Sequence, residues 1–263
     1  MSLSIRDVWK SFNTKGVEQQ VLRGVDLDIP AQSFVSLIGH SGCGKSTLIN
    51  IVGGLSAASH GTVLLDGKAV TSPGPDRAMV FQQYSLLPRL SVIDNVRVAV
   101  AAARPEWSKA HVDDLVERYI TAVGLWEARG KRPSEISGGM QQRAAVARAF
   151  AVEPRVLLLD EPFGALDPLT RARLQKQLIE LWSSGSDTEI VLMVTHGVDE
   201  AVVLSDRVVV LGNPPRPSIL DDIIVDIPRP RRTPEVFDDP KFRAIHGRLL
   251  RLLGADVEDD LAA

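Results

Sequence analysis

The stretch GHSGCGKST at residues 39–47 sets three glycines around one lysine. No stable helix or strand interior selects that composition, because glycine loses the most backbone freedom on ordering. Apolar SFVSLIG (33–39) precedes it and apolar TLINIVGGL (47–55) follows. Gly39, Gly44, Lys45 and Ser46 fit the spacing G-x-x-x-x-G-K-[ST], and the strand before and helix after supply the context that pattern requires. The glycines let the backbone curl so that the N–H groups of Gly39, His40, Ser41, Gly42, Cys43, Gly44, Lys45, Ser46 and Thr47 converge on one anion. Lys45 adds a mobile positive charge, and the Ser46 hydroxyl is a hard oxygen donor of the kind Mg²⁺ takes. The group this loop is shaped to hold is a nucleotide's phosphates. Bulk added at Cys43, inside the loop, is expected to block it.

The chain has 263 residues, 44% of them hydrophobic, enough to bury a sizeable core. A formal net charge of -3 supplies no basic field for nucleic acid. One cysteine excludes an internal disulfide and suits a reducing compartment. The opening MSLSIRDVWK places charges where a signal peptide would carry an apolar run. The longest apolar runs, such as VRVAVAAA and IVLMVT, fall short of the roughly 20 residues that cross a bilayer. Any membrane role is expected to go through a partner.

Short β-branched runs read as strands at LSIRDVW, SFVSLIG, TVLLDG, RAMVF, RVLLLD, EIVLMVTH and RVVVLG. Several are apolar on both faces, as buried parallel strands are. Between RAMVF and RVLLLD the rhythm turns helical. Ser91 caps VIDNVRVAVAAA, which Pro105 ends; after Ser108, the stripe Val112, Leu115, Val116, Tyr119, Ile120 and Val123 ends at Gly124; a third helix starts at SGGMQQRAAVARAF. This is an α/β nucleotide-binding core with a helical insert over 83–152. NPPRPS and IPRPRRTP read as connectors to a last helix, PKFRAIHGRLLRLL.

RVLLLDEP brings Asp160 and Glu161 to the C-terminal end of an apolar strand, where open α/β sheets bind ligands. Asp160 is expected in the Mg²⁺ sphere and Glu161 as the base that orients and deprotonates the attacking water. An acidic helix cap is the alternative, which the phosphate loop outweighs. ISGGMQQR offers a second anion site: Ser137 is an N-cap residue, and Gly138 and Gly139 expose N–H groups at a helix start. A capped helix start with no ligand explains the same residues.

Taken together, these motifs make the chain resemble the ATP-binding subunit of an ABC transporter over nearly its whole length. GHSGCGKST resembles Walker A, Gln82 in VFQQYSLLP the Q-loop glutamine, ISGGM the signature, VLLLDE Walker B, GALD the D-loop, and His196 in MVTHGVDEA the switch histidine. The resemblance implies an α/β fold with a P-loop NTPase core of the ABC type, an antiparallel β subdomain and an inserted helical subdomain. It further implies one nucleotide-binding domain over 1–263, with a C-terminal connector and helix over 212–263. ATP and Mg²⁺ would be the cofactors. Two subunits would pair when ATP-bound, each nucleotide lying between one chain's phosphate loop and the other's Ser137–Gly139. Gln82 would reach Mg²⁺ and the attacking water, His196 the γ-phosphate, and Asp167 would signal across the dimer. Phe12 matches the aromatic that stacks on adenine; a core phenylalanine is its alternative.

The sequence departs from the family pattern at Ile136 and Met140 of the signature and at Gly197, where aspartate usually follows the switch histidine. Glycine adds backbone freedom there, which puts the aim of His196 in question. His111 and His246 match no motif and read as surface or helix-face histidines. The resemblance implies membrane permease partners, docking at YSLLPRLSVIDNV, an extracytoplasmic substrate-binding protein acting indirectly, and a peripheral place on the cytoplasmic face of the inner membrane. That apolar stretch equally suits packing of the insert. PGPDRAMVFQQYSLLPRLSVIDNV, PFGALDPLTRARLQKQLIELW and VDIPRPR resemble the nitrate, sulfonate and taurine import group. KRPSEISGGM and MVTHGVDEAVVLSDRVVVL lean to nitrate, nitrite or cyanate, with aliphatic sulfonate or taurine import as the alternative. Two rivals are a soluble ABC-type ATPase acting on nucleic acid or ribosomes and a P-loop phosphotransferase. One cassette, a short insert and one cysteine argue against the first, ISGGM followed by LLLDEPFGALD against the second.

Overall fold

The computed structural model describes residues 2–14, 16–183, 186–214, 216–231 and 234–262; Pro215, Arg232 and Thr233 of the expected connectors lie outside them. Two compact units emerge, Met1–Pro73 with Ile190–Ala263, and Gly74–Glu189. The helical stretch expected over 83–152 falls inside the second unit, which also takes in strands on either side.

The first segment of unit one runs β1 (Ser2–Thr14), β2 (Val17–Pro30), β3 (Ser33–Gly39), α1 (Lys45–Val52), β4 (His60–Leu65) and β5 (Lys68–Ala69). An antiparallel sheet forms in the order β2-β1-β4-β5. Its packed face comes from Leu3, Ile5 and Val8 of β1, Leu22, Val25, Leu27 and Ile29 of β2, and Val63 and Leu65 of β4, all buried. The β1–β2 register slips between Ile5 and Val8, where Asp7 takes φ 46°. An extra residue at such a bulge returns Val8 to the face it shares with Ile5. On the other face Arg6 meets Asp28 at 2.7 Å.

Unit two contains β6 (Arg77–Val80), α2 (Val92–Ala103), α3 (Lys109–Ala122), α4 (Gly138–Ala151), β7 (Val156–Asp160) and α5 (Pro168–Ser183). Strands β6 and β7 pair in parallel. Three serines start three helices as the sequence predicts: the Oγ of Ser91, Ser108 and Ser137 accept from the N–H groups of Asp94, His111 and Met140. Each satisfies a donor that the first turn leaves without an intrahelical partner. Tyr119 and Phe150 stack at 6.2 Å between α3 and α4, and Val96, Val100, Leu115, Val116 and Val146 complete that core.

The chain returns to unit one through β8 (Ile190–Val194), α6 (Val198–Leu204), β9 (Arg207–Leu211), β10 (Ile219–Ile224) and α7 (Pro240–Ala262). Strand β3 lies between β8 and β9, parallel to both, and β10 closes antiparallel on β9. Phe34, Val35, Leu37 and Ile38 of β3 are all buried, the two-sided apolarity of a central parallel strand. Helix α7 buries Phe242 and Leu249. His246 lies 3.0 Å from the Asp199 carboxylate, a helix-face histidine as expected.

Candidate functional site

In unit one the phosphate loop leaves β3 at Gly39 and enters α1 at Lys45. Gly44 caps α1 in the left-handed region, φ 96°. A Cβ there would meet Leu22 Cδ2 at 2.5 Å, and one at Gly39 would meet the Leu211 carbonyl oxygen at 2.4 Å. Both glycines are therefore required by space as well as by backbone angle. The Lys45 ammonium is buried and donates to the carbonyls of Gly39 (2.8 Å) and His40 (2.7 Å), bracing the loop from its inner side. Cys43 points inward and is fully buried, with Sγ 3.7 Å from Lys45 Nζ. Its thiol packs beneath the loop, whereas Ser41, Gly42 and Ser46 are exposed.

His40 does more than contribute backbone. Its Nε2 donates to the Leu253 carbonyl of α7 at 2.6 Å, tying the loop to a helix 213 residues away in sequence. No local signal announces that contact. Phe12 is 43% exposed, which removes the core-phenylalanine alternative; Lys10 Nζ stands 4.9 Å from its ring centroid. His196 is exposed just beyond β8. The following Gly197 has φ −84°, ψ 111°, extended backbone open to any residue, so glycine's extra freedom is not drawn on. The Thr195 hydroxyl accepts from Gly197 N–H at 3.0 Å and donates to the Glu200 carboxylate. This clamp brackets His196 in the chain.

In unit two, Asp160 ends β7 and Glu161 follows in the left-handed region at φ 48°. For a non-glycine residue that conformation costs about 1–3 kcal/mol and persists only where surroundings over-determine it. Gln82, 79 positions earlier, reaches the same carboxylate: its Nε2 donates to Glu161 Oε2 at 3.0 Å. The residues expected to hold and activate water thus meet directly. Asp167 accepts from the N–H groups of Leu169 and Thr170, both at 3.1 Å. Hydrogen bonding by Thr170, with that of the Leu169 N–H, holds its carboxyl below the usual range. Asp167 is thereby an N-cap of α5.

At the signature, Ser137 is exposed and Gly138 and Gly139 half-buried. A Cβ on Gly138 would sit 2.8 Å from Tyr84 Oη, and one on Gly139 2.7 Å from Thr170 Cγ2. A side chain at either position would have to displace that neighbouring side chain. Sequence reasoning missed two residues further along α4. Gln142 donates to the Pro162 carbonyl at 2.6 Å, and Arg148 donates to the Ser85 carbonyl at 2.7 Å, its guanidinium pKa lowered by burial. Only their place on the signature helix, spaced to face the Walker B turn and the Q-loop, could have pointed to them.

Ser46, Asp160 and Gln82 carry hard oxygen donors, the chemistry Mg²⁺ selects. Among the described residues no group of three or more His, Cys, Asp or Glu could hold a metal by itself.

Comparison with known proteins gives the family. The ABC transporter family model matches residues 22–164. The chain is 48% identical over 252 residues to the bicarbonate transport ATP-binding protein CmpC of Synechocystis sp., covering 95% of this chain and 38% of that protein. It thus spans well under half the length of that relative. It is 45% identical over 246 residues to the nitrate import ATP-binding protein NrtD of Synechococcus elongatus, covering 94% of this chain and 89% of that one. Among solved structures, the dimeric post-hydrolysis state of the ATP-binding cassette MJ0796 bound to ADP and Pi superposes with TM-score 0.75 at 28% identity, over 85% of this chain and 98% of that chain. With Gln82 on Glu161, a phosphate loop braced by Lys45, and a relative matched over nine-tenths of its length, the chain belongs to the ABC transporter family.

Proposed function

We propose that this chain is the ATP-hydrolysing subunit of an importer for a small anion, nitrate or nitrite in the first place. The observation that carries the hydrolytic reading is the Gln82–Glu161 hydrogen bond in a chain that also owns a complete phosphate loop. Residues 39–47 receive the phosphates on backbone N–H groups, and Lys45 turns from its two carbonyls to the incoming charge. Phe12 stacks on the base. Glu161 takes the proton of the attacking water while Gln82 holds the carboxylate in line. His196 faces the γ-phosphate. Ser46, Asp160 and Gln82 are the residues that would each offer Mg²⁺ an oxygen, and the ion would supply charge neutralisation on the phosphates.

Two chains pair in the ATP-bound state, Ser137–Gly139 of one meeting the nucleotide of the other; the dimeric form of MJ0796 supports this. The anion class follows from relatives named for nitrate and bicarbonate import, and sulfonate or taurine is the second reading. No helix among the described residues is long and apolar enough to cross a membrane. The relatives named as ATP-binding proteins of import systems support a role beside permease subunits, with the cassette on the cytoplasmic face of the inner membrane and a substrate-binding protein acting beyond it.

The test is ATP hydrolysis by the purified chain and its Glu161→Gln variant. The substitution keeps an oxygen to accept from Gln82 but removes the proton acceptor, so turnover is expected to fall roughly 10²–10⁴-fold with Mg-ATP binding retained and an ATP-dependent dimer accumulating. Undiminished turnover would remove Glu161 from the base role. For the substrate, a strain lacking the chain is expected to lose high-affinity nitrate uptake while growing normally on ammonium.

A further inference from the structure

Gln142 sits one turn into α4, the helix that begins at the signature. Its side chain is 1% exposed. Nε2 donates to the Pro162 carbonyl at 2.6 Å, while Oε1 is buried with no hydrogen-bond partner among the described residues. A half-satisfied buried amide is costly, and an apolar side chain of the same volume would avoid that cost. The single bond it makes must therefore matter for something other than packing.

That bond grips the Pro162–Phe163 peptide, one residue beyond Glu161. Proline fixes its own φ, so holding the Pro162 carbonyl fixes the plane on one side of a nearly rigid residue and, through it, the Cα of Glu161. Glu161 needs such support, because it stands in the left-handed region at φ 48°. From the other side its carboxylate receives Gln82. The same helix also reaches the segment that carries Gln82: Arg148, six positions beyond Gln142, donates to the Ser85 carbonyl at 2.7 Å. One helix thus fastens both members of the Gln82–Glu161 pair, and its first turn is Ser137–Gly139.

We propose that Gln142 is a positioning residue for Glu161, linking the placement of the signature helix to the aim of the carboxylate. Resting on the general-base reading of Glu161, the inference adds a route by which an anion seated at the start of α4 sets the carboxylate of the same chain.

The experiment is a double-mutant cycle on the full chain, with kcat, KM for ATP and equilibrium Mg-ATP affinity measured for the unsubstituted chain, Gln142→Leu, Glu161→Gln and the double variant. Gln142→Leu is expected to lower kcat about 10–100-fold, the scale on which small misplacements of a reacting group act, with KM and affinity within about twofold. In the Glu161→Gln background the same change is expected to cost nothing further, because the group it aims is gone. Equal losses in both backgrounds, an effect on KM alone, or an unchanged kcat would overturn the proposal. Gln142→Met, which fills similar volume without a donor, is the second variant; failure of both to fold would assign Gln142 to stability and overturn it too. If Glu161→Gln itself turns over normally, the general-base reading falls first. If Glu161→Gln is inactive and Gln142→Leu is not impaired, only the positioning role fails.

Discussion

Glu153 stands just past α4, whose C-cap is Val152, in a left-handed conformation at φ 51°. Its N–H bonds the Phe150 carbonyl at 2.9 Å, the geometry in which helices ordinarily end on glycine. Glu153→Gly removes strain of about 1–2 kcal/mol, offset by about 0.5–1 kcal/mol of extra chain entropy in the unfolded state. It also removes a negative charge from a helix C-terminus, about 0.3–1 kcal/mol. The sum is a stabilisation of about 1–2 kcal/mol, or a melting temperature higher by several degrees. Burial, reinforced by the charge of Asp187 and opposed by Arg118, His111 and Arg104, raises the Glu153 carboxyl above its usual range. The sign follows: the folded state holds the proton more tightly, so stability falls as pH rises from the ordinary carboxyl pKa to the raised one. Glu153→Gln, which removes charge alone, should therefore gain nothing at low pH and its full share above that window. Thermal melts followed by circular dichroism from acid to neutral pH separate the two contributions. A Glu153→Gly chain no more stable than the unsubstituted one at neutral pH would refute the reasoning.

Three further outcomes are expected. Lys45→Ala, which strips the cation from the loop and the brace from Gly39 and His40, should weaken Mg-ATP binding itself; titration calorimetry would show this. Phe12→Ala should weaken nucleotide binding by about 1–3 kcal/mol, the scale of base–aromatic stacking, with Phe12→Tyr near normal, because the exposed ring has no packing role to lose. Cys43, fully buried beneath the loop, should react with thiol reagents only on the timescale of local opening, and ATP should slow that reaction further; rapid stoichiometric labelling of the native chain would contradict its placement.

The chemistry-bearing motifs were readable because each is local. Residues 39–47 specify their turn through glycines, and Ser91, Ser108 and Ser137 specify helix starts through one side-chain bond each. The central strands announced themselves by apolar runs. Strand β2 did not: it alternates charge and apolarity across a bulged register, so no strict period survives, and its buried set emerges only on pairing with β1. Strand β10 hides likewise, since Asp221 and Asp222 interrupt its apolar run and are made tolerable by Arg248 and Arg207, partners distant in the chain. At Gly197 the backbone is extended, and the Thr195 hydroxyl joins its N–H to the Glu200 carboxylate, an arrangement that no residue type there announces. What no local pattern contains is which distant groups meet. Gln82 on Glu161, Gln142 on Pro162 and His40 on Leu253 join residues 79, 20 and 213 positions apart. The sequence by itself determined which residue types are on offer for phosphate, water and metal, because that offer depends on side-chain chemistry and short-range backbone geometry. Only tertiary packing decided how they are aimed, because aim depends on hydrogen bonds that exist once separate elements have been brought together.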